Sequence, residues 1–194
     1  MSASPQVLIA IVVALSVLHM VAPDHWVQVT VASHRMGYSR TRSLALASGI
    51  GLAHGASSAV LSVAIAVIGS LVFPAYYVNL FAVVLLLAIA LYVTLNAVRE
   101  SGASKEVESM SLFVSVIPDP ALVPFIVVAR GFGPAYTYAM LGAFVAAAVV
   151  SVSLVVLLAV LGLSAALSKV RPQYVDYLVA ATLILVAAFV YVAG

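Results

Sequence analysis

Long apolar runs separated by short polar stretches divide this chain into six segments, at about Gln6–Ala22, Ser43–Gly69, Pro74–Val98, Ser111–Ala129, Pro134–Leu163 and Gln173–Val192. A helix crossing the ~30 Å hydrocarbon core of a bilayer needs roughly 20 mainly apolar residues. Each run therefore predicts one transmembrane helix. Two runs carry breaks: the first leads straight into Pro23, and the fourth contains Pro118, Pro120 and Pro124. Proline lacks the N–H that closes a helical turn and kinks the helix around it, so the first and fourth helices are expected to be interrupted. Arg99–Met110 is the one stretch with the polarity of a solvated linker.

The two broken runs also open two related halves. Pro23-Asp24 matches Pro118-Asp119 at a separation of 95 residues, and Arg35 matches Arg130 at the same separation. Downstream, Gly49 and Gly69 match Gly142 and Gly162 at a separation of 93, and Tyr77-Val78-Asn79 matches Tyr174-Val175-Asp176 at 97. Each half holds three predicted spans, and an odd number forces the halves to insert with opposite orientation. The expected architecture is an all-α integral membrane protein of six transmembrane helices in two inverted three-helix repeats with Pro-broken first helices. Residues 1–98 form the first repeat, 99–110 a cytoplasmic linker and 111–194 the second repeat. Broken helices in corresponding positions of inverted repeats mark the binding site of many transporters.

Composition sharpens this reading. Of 194 residues, 65% are hydrophobic and 7% charged, against about 25% charged in soluble domains. Six spans leave no room for a soluble domain, and a net charge of +2 gives no basic face for nucleic acid. The chain contains no cysteine, which excludes disulfides, thiolate metal sites and dithiol redox chemistry. The leader Met1–Gln6 carries no positive side chain, so the first run is expected to be a mature helix rather than a signal peptide. Seven of the eight basic residues fall in the first, third and fifth loops: Arg35, Arg40, Arg42, Arg99, Lys105, Lys169 and Arg171. Basic loops face the cytoplasm, so a multi-pass protein of the cell membrane with both termini extracytoplasmic is expected. A homo-oligomer is compatible with the pattern.

Ionisable groups inside membrane spans are costly and mark functional sites. Here they are His19, Asp24, His25, His54, Asp119 and Asp176, the last read as an interface residue. In a regular helix His19 and Asp24 lie about 140° apart. A break at Pro23 can fold His19, Asp24 and His25 around one centre and free the His19 carbonyl as a further ligand. Imidazole with carboxylate suits nickel, cobalt, zinc or iron rather than calcium or magnesium. His54 is the natural fourth ligand. It lies between Gly51 and Gly55, a small-residue face that lets another helix approach closely, with Ser57 and Ser58 placed to orient the ring or line a polar path. His34 beside Arg35 is read as solvent-exposed. In the second half Pro120 replaces His25 and Ala147 replaces His54, so Asp119 is assigned a gating or coupling role rather than a primary ligand.

His19-x4-Asp24-His25 resembles the His-x4-Asp-His signature of the nickel/cobalt transporter family. Leu52-Ala53-His54-Gly55 is similar to that family's second-span Leu-Gly-His-Ser motif, with alanine for its glycine. Pro118-Asp119-Pro120 resembles the Pro-x-Pro element of its shorter members. The six-span plan is similar to the wider lysine-exporter-type superfamily. The resemblance implies a permease for divalent nickel or cobalt, not an enzyme, with no resident cofactor and with His19, Asp24, His25 and His54 handling the metal. The longer members' Asp-Thr motif and the efflux branch's His-rich loop are both missing, so uptake and efflux stay open. Two other readings stand beside it. An exporter of a small organic ion would use Arg35 and Arg130 on an anion. An intramembrane metal-dependent hydrolase would use the histidines to activate water.

Overall fold

Pro23 governs the start of the fold. In the computed structural model, which describes residues 4–100, 116, 118–163 and 172–193, helix α1 (Pro5–Val21) ends at Ala22 in an extended conformation (ψ 143°) and α2 (Pro23–Arg35) begins on the proline. The two helices meet at 42°. Proline is tolerated at the first position of a helix, where its missing N–H has no intrahelical partner, so the residue that ends α1 also starts α2.

Helix α2 corrects the sequence reading, which placed Pro23–Arg35 largely in the first loop. Its apolar residues are too few for a span, but His25, Val29 and Ser33 recur every four residues and are all buried. That one-sided pattern makes a helix without a long apolar run. His34 and Arg35 lie exposed at its end, as expected.

After a turn through Gly37, which takes φ +60°, α3 (Arg40–Val72) runs for 33 residues. Ser39 caps it, its hydroxyl accepting from the Arg42 N–H. At 1.5 Å per residue α3 is about 50 Å long and exceeds a bilayer's hydrocarbon core. Helix α4 (Ala75–Glu100) follows. In the second half the chain is extended at Asp119, forms a short 3-10 turn (Pro120–Leu122) and continues as α5 (Val123–Arg130). Asp119 caps this turn, its Oδ1 accepting the Ala121 N–H at 2.8 Å. Helix α6 (Pro134–Leu158) widens into a π turn (Ala159–Leu163) that contains Gly162 at φ +88°. Helix α7 (Pro172–Ala193) is the last. The expected break at Pro23 is present. Of the fourth run, Asp119 is extended and a 3-10 turn follows it, while most of the residues leading into Pro118 lie outside the described set.

All described residues in regular structure are helical. Among the described residues, three helices are long and apolar enough to cross a membrane, and a fourth span results if bent α1–α2 counts as one. Their outer surfaces carry large apolar side chains such as Val60, Leu71, Tyr92 and Leu154, a face that lipid can cover. Arg99 and Asp176 have side chains outside the described set, as do the linker residues 101–110 and the loop residues Lys169 and Arg171.

Packing centres on α3 against α6 and α4 against α7. The first pair is in very close contact: a Cβ on Gly51 would lie 2.8 Å from Val152 Cγ1 and 2.9 Å from Val149 Cα, and one on Gly55 3.1 Å from Val145 Cα. The small-residue face predicted around His54 therefore receives α6. Ser48 and Ser153 share a hydrogen bond across the same interface at 2.9 Å. Helix α1 also lies on α6, where the buried Ser16 hydroxyl donates to the Phe144 carbonyl at 3.1 Å. The apolar core is built from Leu8, Val12 and Leu15 of α1, Phe125 and Ile126 of α5, Phe144 of α6 and Leu183 of α7.

Candidate metal centre

The break at Ala22 sets the geometry of the site. In an unbroken helix His19 and His25 would point about 120° apart. With α2 turned at the break, His25 Nε2 comes within 3.1 Å of His19 Nε2. One of these nitrogens carries a proton and the other accepts it. His54, projecting from α3, completes a cluster with ring centroids 5.2 Å from His19 and 4.9 Å from His25. The ligand nitrogens of all three lie within 4.8 Å of one another. His25 and His54 are buried and His19 is half-buried.

The break is closed by hydrogen bonds, and one of them corrects the sequence reading. The His19 carbonyl is not a free ligand: it accepts the Ala22 N–H at 3.1 Å. The next exposed acceptor, Val21 O, takes the indole N–H of Trp26 at 3.0 Å, and Ala22 O takes the His25 N–H at 3.4 Å. Trp26 is thus a structural part of the site. Sequence reasoning passes over it, since a bond from a side chain back across a break leaves no mark on periodicity.

Ser57 and Ser58 bond to main chain rather than to an imidazole. Ser58 donates to the His54 carbonyl at 2.8 Å and accepts the Asp119 N–H at 2.8 Å. Ser57 Oγ lies 3.0 Å from both the His54 and Val116 carbonyls. These two hydroxyls dock the Pro-rich segment of the second half beside His54. Asp119 itself stays outside the histidine cluster, with one carboxylate oxygen committed to the Ala121 N–H. The side chain of Asp24, the remaining ligand expected from the sequence, lies outside the described residues.

Three imidazoles this close can hold a metal ion. Nitrogens at about 2.0–2.1 Å from a tetrahedral ion stand about 3.3 Å apart. The His19–His25 pair already has that spacing, and gathering His54 takes about 1.5 Å of side-chain movement from the 4.8 Å limit. Nitrogen donors without thiolate suit zinc, copper, iron, nickel or cobalt, and suit calcium and magnesium poorly. Comparison of the chain with protein-family profiles, with curated proteins and with solved structures returns no match.

Proposed function

We propose that this chain is a membrane permease for a divalent transition metal ion, with nickel or cobalt the first candidates, and that the ion is bound in transit by His19, His25 and His54. The buried three-histidine cluster at a helix break carries this reading. Placing three imidazoles together among apolar helices sacrifices hydration and packing, and a cargo cation offsets that cost. Asp24 is the fourth ligand in the proposal, supplying one negative charge against the cation's two.

The reading extends to six spans in two inverted repeats, with both termini extracytoplasmic. Supporting it, the backbone is non-helical at Ala22 before Pro23 and at Asp119 before Pro120, and the helices pair reciprocally. Second spans α3 and α6 pack together, as do third spans α4 and α7, and α1 lies on α6 as α5 lies on α3. Exchanging the halves maps α1–α6 onto α5–α3 and leaves the other two pairs unchanged.

The test is titration of the purified protein with nickel(II), cobalt(II), zinc(II) and manganese(II) by calorimetry, beside flux into proteoliposomes. One ion per chain is expected, with manganese weakest. His54→Ala should lower affinity by about 100-fold or more, since even outer-shell partners of metal ligands are worth 10–100-fold. Flux should fall in parallel. Absence of saturable binding, or binding unchanged in His19→Ala, His25→Ala and His54→Ala alike, would refute the reading.

A further inference from the structure

Along α3, His54, Ser58, Ser62, Ala66 and Ser70 recur every four residues and share one slowly winding face. The first four are buried to within 1% exposure and Ser70 is exposed. This face therefore runs from the histidine cluster to the molecular surface over about 24 Å of helix. Two features set it apart from an ordinary packing face.

The first is Ser62. The other serines of α3 all engage their hydroxyls: Ser43 on Ser39 O, Ser48 on Ser153, Ser57 and Ser58 on His54 O, and Ser70 on Val67 O. Ser62 is fully buried, yet its hydroxyl has no hydrogen-bond partner among the described residues. A buried hydroxyl left so costs about 1–3 kcal/mol unless water or a cation meets it. It lies one turn beyond Ser58, on the line leading away from the histidines.

The second is Arg130, at the far end of the same line. Its Nη1 donates to the Ala66 carbonyl at 2.6 Å and to the Ser70 hydroxyl. The guanidinium thus ties the end of α5 across the α3 face where that face meets the surface. It also lines an open groove of about 360 Å³ with Val63, Val67, Ile126 and Tyr138. Arg35, which matches Arg130 in the sequence repeat, makes no side-chain hydrogen bond among the described residues. The two arginines are therefore in different states, one latched and one loose.

We infer that this face of α3 is the route between the histidine cluster and the aqueous phase, with Ser62 a water- and cation-contacting hydroxyl on it and Arg130 the latch that closes it. The inference rests on the permease reading for what moves along the route. A neutral hydroxyl can replace a water in the shell of a divalent cation, and a fixed positive charge at the exit repels that cation until the latch opens. Release of Arg130 from Ala66 and Ser70 would open the groove to Ser62.

The cysteine-free chain permits a test that involves no metal. Ser62→Cys is introduced alone and with Arg130→Ala, Arg130→Lys or Ser70→Ala, and reaction with a charged, membrane-impermeant thiol reagent is timed in proteoliposomes. Val60→Cys, on the exposed apolar side of α3, serves as the lipid-facing control and should stay unreactive throughout. Ser62→Cys should react slowly alone and at least about tenfold faster with Arg130→Ala, as loss of charge-assisted hydrogen bonds predicts. Ser70→Ala should give an intermediate rate, and Arg130→Lys a slow one. If Arg130→Ala fails to fold, the Ser70→Ala and Arg130→Lys pair decides the matter. Equal rates across the set would overturn the latch, and inertness of Ser62→Cys in every background would overturn the route. Nickel(II) calorimetry on Arg130→Ala in the cysteine-free background separates the two readings. Binding without the accessibility change sinks the route alone, whereas the accessibility change without binding sinks the choice of cargo.

Discussion

Removing the Ser58 hydroxyl would leave the half-buried Asp119 N–H without its acceptor and would loosen the docking of the second half against His54. A buried amide stripped of its partner costs about 1–3 kcal/mol. Ser58→Ala should therefore lower the thermal midpoint clearly and weaken nickel binding through the displaced His54. Ser57→Ala should do less, because the carbonyls it meets can bond elsewhere; thermal melts of both variants check the order. Equal melts would mean the Ser58 bridge contributes nothing. The histidines were legible in the sequence because an imidazole in an apolar run is rare and costly. Their supporting groups were not. Ser58 meets Asp119 across 61 positions, and nothing local to either residue encodes that meeting. The His19 carbonyl was misread for a related reason: proline removes a donor in a known place, but which neighbouring N–H replaces it depends on how the chain turns.

At the scale of helices, the contact of α3 with α6 depends on the absence of a side chain at Gly51. Gly51→Ala would place its Cβ 2.9 Å from the Val149 backbone, so the two helices must part, at a cost of about 1–3 kcal/mol. Because His54 sits one turn away, nickel affinity should fall as well. Gly49→Ala is the counterpart: nothing lies within 4 Å of its Cβ, and alanine in mid-helix should stabilise by about 0.5–1 kcal/mol. Thermal melts and calorimetry on the two variants should diverge in sign; a matching response would show that packing at Gly51 is not limiting. Run length and proline position made the long helices and the break at Pro23 legible. Helix α2 escaped because a search for unbroken apolar runs is blind to a helix that buries one residue in four. Asp119 was foreseen as a special carboxylate but not as the cap of a 3-10 turn.

For the whole molecule, the basic-loop asymmetry predicts which surface each end occupies. Ser104→Cys should be labelled from the cytoplasmic side of oriented vesicles, and Gly194→Cys from the opposite side. Labelling of both from one side would dismantle the inverted-repeat reading. The matched sequence positions did not say which helices would touch, and the pairing of α3 with α6 and α4 with α7 is legible only in the structure. The choice of α6 as the partner of α3 falls to shape, namely the flat surface that Gly51 and Gly55 offer to it.

The joint at Ala22 has a mechanical corollary. His19 and His25 stand on opposite sides of it, and His54 belongs to a third helix. An ion gripped by all three acts as a splint: it fixes the angle between α1 and α2 and pins both to α3. When the ion leaves, the angle is held by the hydrogen bonds at His19 O and Val21 O and by side-chain packing. In the permease reading, occupancy would thereby be converted into stiffness, and cargo loading and release would be felt along two helices without any part of the chain having to unfold.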